Sequence, residues 1–112
     1  MREHPGVPLG EVEQLVLLAA LRIGDDAYPV AVRDEIESRT GIVLSRATVY
    51  ITLDRLEGKG HLESWFGAPT PERGGKAKRC FRVKPAGVRA LRASMTALDS
   101  LAAGTRLAPE RR

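Results

Sequence analysis

The sequence holds few of the residues that bind metals or form cross-links. It has a single cysteine, Cys80, and two histidines, His4 and His61. One cysteine excludes an intrachain disulfide and fits a reducing cytosol. Scattered along the chain, these residues offer no local zinc-ligand spacing. Long hydrophobic runs are missing too. The longest, Leu15 to Leu21, falls far short of the roughly 20 residues that cross a bilayer. The opening Met1-Arg2-Glu3-His4-Pro5-Gly6 has no apolar segment of the signal-peptide kind. A soluble, cytoplasmic protein without membrane contact is expected. No phosphate-binding glycine fingerprint precedes a helix, and no Ser/His/Asp arrangement has support. The paired acids Glu11/Glu13 and Glu35/Glu37 read as solvated helix-surface charge. No catalytic residue, metal or cofactor is expected, and the chain is not read as an enzyme.

What is present is an ordinary globular composition. The chain has 112 residues, 43% apolar and 29% charged, which suits one domain with a modest core. Net charge is +4, which permits a polyanionic partner without requiring one. Residues 1–8, with two prolines and a glycine, read as a flexible arm, and 105–112 as a frayed tail.

Periodicity predicts four helices. Leu9, Val12, Val16, Ala19 and Ile23 are spaced 3, 4, 3, 4 and form one stripe of a first helix. Leu15, Leu17, Leu18 and Leu21 make it apolar nearly all round, so it needs cover on more than one side. Pro29 suits the first turn of a second helix, ended by Thr40-Gly41. Ile42-Val43-Leu44 reads as a short strand. Ser45 is an expected N-cap for a third helix from Arg46 to about Glu57, with Val49, Leu53 and Leu56 inward and Ala47, Tyr50, Ile51 and Asp54 outward. His61 to Phe66 and Arg79 to Val83 read as strands flanking a Gly/Pro-rich loop. A last helix runs from Pro85 to about Ala103, with Val88, Leu91, Met95, Leu98 and Ala102 again spaced 3, 4, 3, 4 beside Leu101, a short coiled-coil-like seam. The expected fold is mainly α (α+β): a winged helix-turn-helix over 9–84 and a C-terminal dimerisation helix over 85–104.

In such a module the third helix enters the major groove. Ser45, Arg46, Ala47, Thr48, Tyr50 and Ile51 are its candidate contacts. Hydroxyls, Arg and helix N-terminal N–H groups suit phosphate. Ile51 suits a thymine methyl or packs on a neighbouring loop. Asp54 is read as a non-contact residue. The loop cations Arg73, Lys76, Lys78 and Arg79 have no acid among them, and they suit a wing on phosphate or a minor groove. The competing reading is a solvated loop. Leu9, Val12, Val16, Val88, Leu91, Met95, Leu98, Leu101 and Ala102 are candidates for a homodimer interface, or for a last helix folded back on the first. Cys80 reads as a small buried hydrophobe. Trp65 and Phe66 are expected at the hairpin base, where Trp65 could also stack on a flat ligand.

The stretches Leu9 to Leu18, Ala47 to Gly60, Arg73 to Phe81 and Lys84 to Gly87 together resemble the PadR family over about residues 9–103. Ile51 stands where the family often has Pro or Ala, and Cys80 where it often has an aromatic. The resemblance implies a homodimeric repressor with one C-terminal dimerisation helix, bound to a pseudo-palindromic site in double-stranded DNA. It places Thr48 and Tyr50 on the DNA backbone and allows a small aromatic effector. The alternative is a winged-helix module that binds a protein.

Overall fold

The computed structural model describes residues 9–67 and 78–107. It contains α1 (Glu11–Ile23), α2 (Pro29–Thr40), α3 (Arg46–Gly58), β1 (Leu62–Phe66), β2 (Arg79–Val83) and α4 (Pro85–Ala102). The N-terminal arm, Arg73, Lys76 and the tail beyond residue 107 lie outside the described residues.

Local chemistry sets the helix ends. Pro29 occupies the first turn of α2, where its missing N–H costs nothing. Gly41 closes α2 at φ 78°, a left-handed conformation that suits glycine. Ser45 caps α3, its Oγ accepting from the Thr48 N–H at 3.0 Å.

The core lies where the three N-terminal helices meet the hairpin. Val16, Leu17, Ala19 and Ala20 of α1 pack with Val32 and Ile36 of α2, Val49, Leu53 and Leu56 of α3, Leu62, Phe81 and Leu91. The hairpin is antiparallel, pairing Leu62 with Val83, Ser64 with Phe81 and Phe66 with Arg79. Alternation puts these pairs on one face, with Glu63, Trp65, Cys80 and Arg82 on the other. Cys80 is buried.

Three expectations need correction, two of them in the hairpin and its neighbourhood. Ile42-Val43-Leu44 is not a strand. The outer edge of β2 is bridged instead by Ala27, whose carbonyl accepts the Phe81 N–H at 2.8 Å. The 42–44 segment is held by side chains: Ile42 N–H donates to Thr40 Oγ1, and Arg33 Nε to the Leu44 carbonyl. Phe66 does not pack at the hairpin base; it is 70% exposed at the end of β1. Trp65 carries the Arg82 guanidinium 4.7 Å from its ring centre.

Glu13, expected as solvated surface charge, is instead buried, and its ion pair with the exposed Lys59 ties the start of α1 to the end of α3. Glu13 accepts from Lys59 Nζ at 2.7 Å and from the Gly10 N–H at 3.0 Å. Burial alone would raise the Glu13 pKa. The hydrogen bonds from Lys59 and Gly10, with the charges of Lys59 and Arg55, outweigh it and hold the carboxyl below its ordinary 4.5. A depressed carboxylate contributes stability above its unfolded pKa and loses it as pH falls through the folded one. Melting temperature is therefore expected to fall on acidification below about pH 4.5. Lys59→Met should flatten that part of the profile, measured by circular dichroism. An unchanged slope would remove Glu13 from the acid response.

Candidate nucleic-acid interface

Packing of Val49, Thr52, Leu53 and Leu56 inward turns the opposite side of α3 to solvent. Ala47, Tyr50, Ile51 and Asp54 are exposed there, with Ile51 at 55%. Ser45 Oγ, besides capping the helix, donates to Thr48 Oγ1 at 2.9 Å. Arg46 opens the helix, exposed.

The end of the hairpin stands beside this face. Tyr28, Pro29, Val30, Arg46, Tyr50, Phe66, Lys78 and Arg79 line one cleft of about 310 Å³. Lys78 Nζ sits 4.2 Å from the Tyr28 ring centre, a cation–π contact that leaves its charge near the cleft. Arg46 and Tyr50 of α3 are thus brought together with Lys78 and Arg79, which lie far along the sequence. Tyr28 and Phe66 were missed as site residues. Phe66 could have been found by continuing the Leu62, Ser64 alternation one step past the core.

Arg79 differs from the other cations. It is largely buried and faces acids. Its Nη1 lies 3.0 Å from Asp54 Oδ1 and donates to the Tyr50 hydroxyl at 3.0 Å. Its Nη2 donates to Glu57 Oε1 at 2.6 Å. Glu57 Oε2 in turn accepts from Ser64 Oγ at 2.7 Å. The bond to Tyr50 raises the Arg79 pKa; burial opposes this, and Asp54 and Glu57 add to the rise.

The expected dimer residues divide between two environments. Val16 and Leu91 are in the chain's own core, and Leu9 and Val12 pack half-buried against it. Val88 and Ala102 are half-buried. Met95, Leu98 and Leu101 are exposed at 44%, 58% and 81%, and Leu18 and Leu21 on α1 are exposed as well. Leu21, Val88 and Met95 share one groove between α1 and α4.

Among the described residues no group of three or more His, Cys, Asp or Glu could hold a metal. No described helix is long and apolar enough to cross a membrane.

Residues 17–93 match the family model of the PadR-like transcriptional regulators. Among solved structures, a transcriptional regulator from Clostridium thermocellum is similar with a TM-score of 0.68 at 20% identity, over 81% of this chain and 85% of that one. A PadR family transcriptional regulator from Eggerthella lenta gives 0.66 at 27% identity, over 84% and 81%. A winged-helix DNA-binding protein from STIV gives 0.64 at 15% identity, over 81% and 90%. No curated protein matches the sequence.

Proposed function

The chain belongs to the PadR-like family of transcriptional regulators, and on that premise we propose that it is a homodimeric repressor of a pseudo-palindromic promoter site. The observation that carries this reading is the shared cleft. The outward face of α3 and the cations at the base of the wing form one surface, with Arg46 and Lys78 beside Tyr50. Arg46, Thr48 and Tyr50 supply donors to phosphate, and Ala47 and Ile51 supply apolar contact to base edges. Ser45 contributes through the cap that presents the α3 N-terminus. Arg73 and Lys76, outside the described residues, add two loop cations suited to phosphate. Two subunits place their α3 helices in successive major grooves, about one helical turn apart. Occupancy then excludes polymerase.

Footprinting on DNA upstream of the gene, followed by fluorescence anisotropy on the protected duplex, tests this reading. Arg46→Ala and Lys78→Ala each remove one cation per subunit. Each is expected to make the log–log salt slope of the dimer shallower by about 2 units. An unchanged slope would take that residue off the phosphate backbone. A protein that ignores duplex DNA at physiological salt but retains an acidic protein would favour the interaction-module alternative. Loss of the protein should raise transcription from the footprinted promoter; a fall would make it an activator.

A further inference from the structure

Resting on the DNA-binding reading, we propose that Arg79 is the positioning residue of the interface: it aims the Tyr50 hydroxyl at a DNA phosphate and locks the wing to α3.

The geometry is specific. Tyr50, Asp54 and Glu57 lie at i, i+4 and i+7, one face of α3. Arg79 reaches all three from β2. It donates to Tyr50 Oη at 3.0 Å and to Glu57 Oε1 at 2.6 Å, and lies 3.0 Å from Asp54 Oδ1. Its guanidinium also sits 4.9 Å from the Phe81 ring centre. One side chain thus joins the recognition helix, the wing and the core aromatic. The planar fork of arginine can serve several acceptors at fixed angles, and a lysine ammonium cannot reproduce this.

Two consequences follow. A phenol oxygen that accepts from a guanidinium cannot point its own hydrogen at that guanidinium. The Tyr50 O–H is turned away from Arg79, and Tyr50 is 40% exposed. Its hydrogen is thereby left available to an acceptor on the exposed side of α3. Second, the charge of Arg79 is already matched by Asp54 and Glu57. Binding DNA through Arg79 itself would require breaking those pairs. Arg79 acts through Tyr50, and Arg46 and Lys78 carry the phosphate charge.

The test is a double-mutant cycle on the footprinted duplex, with thermal denaturation of each variant. Tyr50→Phe is expected to weaken binding several-fold with no change in salt slope, since it removes a neutral donor. Arg79→Lys keeps the charge and is expected to weaken binding at least as much. The double variant should bind no worse than Arg79→Lys alone. Glu57→Gln is the sharpest variant. Removing a negative charge beside DNA should strengthen binding by electrostatics alone. Loosening the Arg79 clamp should weaken it several-fold, with the protein still folded. Additive Tyr50→Phe and Arg79→Lys effects, full affinity in Arg79→Lys, or tighter binding by Glu57→Gln would each overturn the proposal. Wild-type protein that binds no duplex at low salt would overturn the DNA reading itself, a distinct failure.

Discussion

Leu98→Asp is expected to leave a folded single chain that has lost DNA affinity by about a hundredfold or more. The reason lies in how α4 is used. Its buried residues, Gly87, Leu91 and Ser94, all lie before Met95. There the helix is tied to the subunit, with Ser94 Oγ accepting from the Leu9 N–H at 2.8 Å. From Met95 to Leu101 every residue is exposed. A helical stretch this short and this exposed is marginal in water. Its apolar side, with Leu18 and Leu21 of α1, needs cover, and in the proposed homodimer a second copy related by a two-fold axis would supply it with the same residues. Aspartate at 98 would put two like charges into that seam while touching nothing in the monomer core. Analytical ultracentrifugation at micromolar concentration should show wild-type protein at twice the chain mass and the variant at the chain mass. DNA affinity falls because the second α3 no longer binds as part of one molecule. A dimeric Leu98→Asp protein would place the interface elsewhere.

Gly87→Ala is expected to destabilise the fold by about 2–3 kcal/mol, against the helical preference of the residue. On propensity alone, alanine inside a helix gains up to about 1 kcal/mol over glycine. Sterics reverse the sign. A Cβ on Gly87 would stand 2.3 Å from the His61 carbonyl oxygen and 3.0 Å from Val83 Cγ1. That carbonyl cannot easily yield, because it accepts the Lys84 N–H at 2.9 Å. The first turn of α4 would have to lift from the hairpin, carrying Leu91 and Ser94 with it. The expected fall in melting temperature is roughly 10 °C. A rise, as propensity predicts, would mean that α4 seats differently.

The structure rewards reading by period and by caps. The four helices follow from apolar spacing, and Ser45, Gly41, Pro29 and Pro85 mark their ends. The outward side of α3 was legible because Val49, Leu53 and Leu56 leave it no other orientation. Ile42-Val43-Leu44 misled because β-branched residues report local preference only. Whether a strand forms depends on a free edge, and Ala27 had already taken the edge of β2. Arg79 was counted with the loop cations because charge along a chain does not show which acids face it across the fold. The α4 seam reads as one stripe in sequence, yet its first half faces its own core and its second half faces out.

The chain alone determined its helices, their caps, the hairpin and the family, because these depend on neighbours a few residues away. Only the tertiary structure decided which cations remain free for a polyanion and which apolar residues remain free for a partner. Both are matters of what is left after the subunit satisfies itself. Ion pairing of Arg79 with Asp54 and Glu57, and burial of Val16 and Leu91, join residues distant along the chain, and no local pattern encodes them.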